Sequence, residues 1–317
     1  MIGKPGSVRC GVRVSGSPTL NIAGWIIGDA LGGASARAFG SWTEFAETTN
    51  TLPKLLVGAG SANAYVLVTN ASVTVRSGDH FVVGRDAGAT GNVLRVVRGG
   101  VCRYETVGGK GDFYVGQNAG ANGNRLELDG GTFAYDRRFM AVGFEGSSNV
   151  LSVANGARFD AADGQLWVGY RTTAKGNRLV LRDGGVATVR MLNLQNDAVA
   201  EFVGVGNELT IGNEDVSVVD GTSFVFRPSP AAATTPVVTV NKTLTYGPNR
   251  PITVDVANVE PGVYRLMACA VGVPAVDGVP VTYENLPRTW RARLRRSSDG
   301  KELQLVVSSQ EMVFFVR

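Results

Sequence analysis

Short runs along the middle of the chain place apolar residues at every second position. Leu94-Arg-Val96, Leu126-Glu-Leu128 and Leu151-Ser-Val153 alternate strictly, and Leu179-Val-Leu181 keeps the same frame with an apolar residue between. A period of two predicts β-strands with one face inward. No stretch sustains the i, i+3, i+4, i+7 apolar pattern with caps that would predict a helix.

The strands recur with punctuation. Val57-Gly58, Val83-Gly84, Val115-Gly116, Val142-Gly143 and Val168-Gly169 are spaced by 26, 32, 27 and 26 residues, and Ile27-Gly28 reads as a degenerate earlier copy. A polar stretch follows each, then an asparagine: Asn92, Asn124, Asn149 and Asn177, with Asn63 and Asn207 as weaker members. A second turn comes after the alternating strand, at Gly99-Gly100, Gly130-Gly131, Asn155-Gly156 and Gly184-Gly185, and a third extended piece leads to the next Val-Gly.

Three short strands in about 26 residues make no core by themselves, so each copy has to stack on its neighbours and pair every strand above and below. The predicted fold is all-β, a parallel β-helix with coils about 4.8 Å apart. Stacking assigns Val83, Val115, Val142 and Val168 to one inward column. Leu94, Leu126, Leu151 and Leu179 form a second, and Phe81, Phe113, Met140 and Leu166 a third. The glycines suit corners with positive φ, and the asparagines tolerate the left-handed region while their amides can hydrogen-bond from coil to coil. A propeller blade needs ~40–50 residues, which excludes that alternative.

The Val-Gly, Gly-Asn-x-Leu-x-Val, Gly-Gly repeat resembles the β-strand repeats of bacterial autotransporter-type passengers and related large surface proteins. The resemblance spans about residues 56–222. Pro261-Gly-Val-Tyr264-Arg-Leu, Asn285-Leu-Pro287, Trp290 and Asp299-Gly300-Lys-Glu-Leu303-Gln-Leu305 resemble the closing segment of such proteins. The resemblance implies a right-handed parallel β-helix outside the cell and carries over no catalytic residues. Met1–Cys10 lacks an apolar stretch and is not expected to be a secretory signal. No translocator barrel is expected within the chain, which runs out at Glu311–Arg317, so self-secretion is not implied.

The expected organisation is an N-terminal cap with irregular first coils over residues 1–55 and regular coils over 56–222. A linker or excursion is expected over 223–236, and the last coils with a small β cap over 237–317.

Composition narrows the chemistry. Glycine reaches 42 of 317 residues, about 13 % against a usual ~7 %, with 44 % apolar and 18 % charged residues. That is neither a disordered polyelectrolyte nor, without glycine at every third residue, a collagen. A net charge of +4 is too small for a dedicated nucleic-acid binder. The single histidine, His80, removes multi-histidine metal sites, and Cys10, Cys102 and Cys269 form no CxxC pair. Phosphate-loop and GxSxG motifs are missing. Gly108-Gly-Lys-Gly111-Asp112 approaches a calcium-repeat motif but occurs once, and reads as a loop enlarging the 32-residue coil. The longest early apolar stretch, Ile22–Ile27, is far short of the ~20 residues that span a membrane. No cofactor, metal, nucleic acid or membrane insertion is expected.

Two surface features remain. Asp129 and Asp183 each precede a Gly-Gly and, two coils apart, would lie about 9.6 Å from one another, within reach of glycosidase geometry. Asp136, Asp160 and Asp163 lie nearby, yet Asp before Gly is also common turn chemistry. Arg291, Arg293 and Arg295 share one face of a strand, where they would bind sulfated or phosphorylated glycans or guard an exposed edge. The expected function is a structural or adhesive solenoid at the cell surface, contacting glycans or a host or neighbouring cell, without an active site. A polysaccharide lyase, a hydrolase or a carbohydrate-binding module on the same scaffold is the alternative, and a trimeric phage-type fibre segment a weaker one.

Overall fold

The structure, a computed structural model, describes residues 11–15, 25–27, 41–136, 139–212, 217–218, 221–245 and 247–309. The expectations for Met1–Cys10, Gly28 and Glu311–Arg317 lie outside these residues.

A regular coil has three faces, and strands of successive coils pair in parallel on each, on the third face as far as Ser217–Val218: a parallel β-helix. The first face is an 11-stranded sheet whose order follows the chain from Gly11–Ser15 to Val281–Glu284. The second and third faces belong to one 17-stranded sheet, joined where Arg158–Val168 and Val186–Leu194 run around the corner between them. The pairing on these two faces shifts register at that corner, between Ala161 and Gln165.

Like side chains lie in continuous columns. On the first face Leu94 pairs with Leu126, Leu126 with Leu151 and Leu151 with Leu179, all at most 1 % exposed. On the third face Val83, Val115, Val142 and Val168 pair in succession, and Ile27 pairs with Val57 at the start of that column. Phe81, Phe113, Met140 and Leu166 occupy the column two residues earlier. Aromatic rings fill the interior between faces: Phe113 and Phe133 at 4.7 Å, Phe133 and Phe159 stacked at 5.9 Å, Tyr104 and Tyr135 stacked at 5.2 Å.

One column is polar. Asn92, Asn124, Asn149 and Asn177 are fully buried. The Asn124 Oδ1 accepts from both the backbone N–H (3.1 Å) and the Nδ2 (2.8 Å) of Asn92. The Asn149 Oδ1 does the same for Asn124, and the Asn177 Oδ1 for Asn149. The ladder starts at the Ala64 N–H, which donates to Asn92, and ends with Asn177 donating to the Gly146 carbonyl. The amides rest on the Val-Gly glycines of the preceding coil. A Cβ on Gly84 would sit 2.2 Å from the Asn124 amide, and one on Gly116 would sit 2.1 Å from that of Asn149. These glycines therefore answer two demands, a φ near +78° and an unobstructed seat for the next asparagine.

Parallel pairing on the first face begins at Gly11–Ser15 and continues to Val281–Glu284, so coils extend on both sides of 56–222. Two expectations are corrected. Ser223–Pro228 is no linker but a strand paired on both sides, its Phe224 and Phe226 carrying the two interior columns onward; the excursion is only the 3₁₀ turn Pro230–Ala233 and its flanks. Asn63 and Asn207 are not rungs of the ladder. Ala64 stands in the ladder column, whereas Asn207 lies on the second face, where it donates to the Val203 and Val237 carbonyls.

At the C-terminal end the parallel order stops. Gly262–Cys269 pairs antiparallel with Glu302–Ser309, which pairs antiparallel with Trp290–Arg296. Trp290, Ala292 and Leu294 pack against the core, closing the end of the stack. Asn124→Ala leaves the two Asn92 donors without their acceptor and is expected to cost about 2–4 kcal/mol in chemical denaturation. Gly84→Ala should be partly tolerated once that amide is gone, so the double variant should lose less than the two single losses together; strict additivity would contradict the seat.

Candidate functional site

The outer side of the first face carries a groove of about 500 Å³. Its floor is the coil bearing Val150, Ser152 and Ala154, short side chains between two coils of long charged ones. Arg125, Glu127 and Asp129 form one wall, and Arg178, Val180 and Arg182 the other.

The acids of this groove are committed. The Asp129 carboxylate accepts from Asn155 Nδ2 at 2.8 Å and from Arg95 Nη2 at 2.8 Å. Those two hydrogen bonds, Asn155 first, hold its pKa below the usual carboxylate range. Glu201, nearly buried, bridges Arg178 at 2.6 Å and Arg227 at 2.7 Å, and Arg227 continues to Asp255. Glu127 lies between Arg125 at 3.5 Å and Arg95 at 4.0 Å. Arg182 is exposed and, among the described residues, has no ion-pair partner. The groove is thus a salt-linked surface with one free guanidinium.

Asp129 and Asp183 do not form a column, which corrects the expected carboxylate pair. Asp129 is the last residue of its strand, and its column continues through Ala154 to Arg182. The later coil has one more residue in its turn, so Asp183 falls outside the strand with φ +48° and places its carboxylate over Gly204 of the following coil. Aligning the two coils by their Gly-Gly pairs conceals that insertion.

The second face holds a smaller cavity of about 260 Å³, lined by Arg103, Glu105, Asp136, Asp160 and Asp163. Asp136 accepts from the Thr106 N–H. Among the described residues no group of three or more His, Cys, Asp or Glu side chains is arranged for a metal ion. At the Gly108–Asp112 loop, Asp112 accepts from the Tyr114 hydroxyl at 2.9 Å, and its backbone N–H donates to His80 Nδ1 at 3.0 Å. His80 is a loop residue edge-on to Tyr114. Burial pushes the Cys102 thiol up to about 12 and the Cys269 thiol up to about 11, which holds both in the protonated thiol form.

Sequence reasoning missed an aromatic cluster outside the third face. Tyr114, Phe139 and Trp167 point away from the main core and meet Phe144 and Tyr170 from the adjoining corner. Phe144 and Tyr170 stack at 4.9 Å, with the Arg171 guanidinium 5.0 Å from the Tyr170 ring. The signal was there: Phe81-Val-Val83 and Phe113-Tyr-Val115 are apolar throughout, the mark of strands covered on both sides. The rings cover one another, making a satellite core that pins the corner.

Arg291, Arg293 and Arg295 lie on Trp290–Arg296, whose one partner among the described strands is Glu302–Ser309. All three are exposed, with Ala292 and Leu294 on the other side. Compared with family models, with curated proteins and with solved structures, the chain matches none.

The ionised forms of four aspartates are held by the fold, that of exposed Asp299 by the Ser297 hydroxyl and the Lys301 N–H. A hydrogen bond from Lys54 lowers Asp79, and Asn155 and Arg95 lower Asp129. Burial raises Asp255, but hydrogen bonds from Asn285 and the Ala257 N–H, with Arg227, outweigh it and leave its pKa lowered. Groups with depressed folded values contribute stability above the ordinary carboxylate range and lose it as pH falls through those values, so unfolding should ease below about pH 4. Asp129→Asn should remove a share of that acid loss, below about 1 kcal/mol because its partners are solvent-screened. An acid limb unchanged in the combined Asp79→Asn, Asp129→Asn, Asp255→Asn variant would contradict the assignment.

Proposed function

We propose that this chain is a non-catalytic scaffold of a bacterial cell surface, a rigid extracellular rod that is structural or adhesive. The observation that carries the reading is the state of the groove acids. A glycosidase needs one carboxyl kept protonated near neutral pH beside a second ionised one. Asp129 is instead held ionised by Asn155 and Arg95, and Glu201 is clasped by two arginines. The buried asparagine ladder favours the same reading, because it spends its polar groups on joining coils and not on a ligand. The repeat resemblance supplies the extracellular setting.

A carbohydrate-binding role on the same scaffold is the second reading, favoured by the groove across the Val150–Ala154 coil and its unpaired Arg182. Hydroxyl-rich ligands suit a trough of hydrogen-bonding side chains with a short-chain floor. Incubation with a panel of neutral and acidic polysaccharides tests both. The expected outcome is no release of reducing ends or unsaturated products. Product release abolished by Asp129→Ala or Asp183→Ala would overturn the scaffold reading. Binding without turnover, weakened by Arg182→Gln, would select the second.

A further inference from the structure

We infer that the outer strand Trp290–Arg296 is a binding edge for a linear anionic polysaccharide, its arginines each gripping one acidic group along the polymer. The inference rests on the scaffold reading and gives that scaffold a ligand class.

Arg288, Arg291, Arg293, Arg295 and Arg296 are all exposed within nine residues. Alternation puts Arg291, Arg293 and Arg295 on one side, two residues apart, hence about 6.6–6.8 Å between successive attachment points. That is shorter than the ~8 Å Debye length at physiological ionic strength, so the three charges repel one another in the free protein. Nothing opposite relieves them. The residues facing them on the neighbouring strand are Ser308, Val306 and Gln304, all neutral. The nearby acids are engaged: Glu302 holds Arg265, and Asp299 accepts from the Ser297 hydroxyl and the Lys301 N–H. Among the described residues Arg291 and Arg293 have no ion-pair partner, and Arg295 donates only to the Gln304 side chain at 3.0 Å.

One charge is enough to guard a strand edge against pairing with another chain. A straight row of guanidinium forks, each able to grip a carboxylate or sulfate bidentately, is more than a guard requires. A glycan is favoured over a single-stranded nucleic acid, because among the described residues no aromatic ring shares the arginine face on which bases would stack; Trp290 packs against the core on the other side.

The test measures retention of the whole chain on dextran sulfate, on polygalacturonate and on neutral dextran at 0.15 M salt, with thermal melting and solution mass read on the same samples. The first two matrices tell a sulfate ligand from a uronate one. The expected result is retention on an acidic matrix, about tenfold weaker in the combined Arg291→Gln, Arg293→Gln, Arg295→Gln variant, which stays folded and monomeric. A control with the same charge loss on the second face, Arg76→Gln, Arg103→Gln, Arg158→Gln, should bind like the parent. Equal weakening in the control would reduce the effect to net charge and overturn the inference. So would equal, variant-sensitive binding of a single-stranded oligonucleotide. A triple variant that binds normally but self-associates would make the row an edge guard alone. Each of these failures, with melting unchanged, leaves the scaffold reading standing, whereas turnover of the polymer would defeat both.

Discussion

A buried amide has to be hydrogen-bonded at both ends or the fold loses a kcal/mol or more for each orphaned group. Four such amides, stacked in the interior of this β-helix, set the constraint on which the rest depends. The oxygens of Asn124, Asn149 and Asn177 each take two donors from the coil before, and that of Asn92 takes the Ala64 N–H, so coils are locked in one axial register. Hydrophobic columns alone specify register less sharply: Leu on Leu and Val on Val tolerate displacement by two residues without exposing apolar surface, whereas the same slip would orphan every amide in the ladder. Gly58, Gly84, Gly116 and Gly143 complete the arrangement by leaving space where any side chain would collide with the amide.

From that register follow the outer surfaces. Once the interior columns are set, every second residue points outward in a fixed grid, and charge is laid out along the axis. The run Arg178–Glu201–Arg227–Asp255 is such a line, one charged residue per coil with alternating sign. The groove arises in the same way, because the coil bearing Val150, Ser152 and Ala154 supplies short side chains between two coils of long ones. The C-terminal strands break the grid by turning antiparallel, and the outermost of them, Trp290–Arg296, presents a row of a single sign.

Much of the fold was legible in the chain because identical environments recur. Val83, Val115, Val142 and Val168 each meet the same neighbours one coil away, so their alignment in sequence is their alignment in space. Legibility failed where the spacing between repeats changed. Asp129 and Asp183 look equivalent beside their glycines, but a one-residue insertion in the turn moves the second out of the strand. Ser223–Pro228 lacks the Val-Gly and Asn signals, so only its alternating Phe224 and Phe226 betray a continuing coil. The groove was hidden for another reason: it is made by the absence of bulk at Ser152 and Ala154, and small side chains leave little mark in a sequence. The pairing of each asparagine with the glycine of the preceding coil was also out of reach, since it joins residues 33–40 positions apart through direct contact.

The register can be measured directly with a pair of engineered cysteines on the groove side of the first face. Glu127 and Ser152 are partners on adjacent coils, about 4.8 Å apart by strand spacing, within disulfide reach. Val180 is the next member of that column, two coils from Glu127 and beyond the ~7 Å limit. After mild oxidation, thiol titration of the unfolded chain should find two thiols lost in Glu127→Cys with Ser152→Cys, and none lost in Glu127→Cys with Val180→Cys. Failure of the first pair to close, or closure of the second, would contradict the stacked columns on which the account stands.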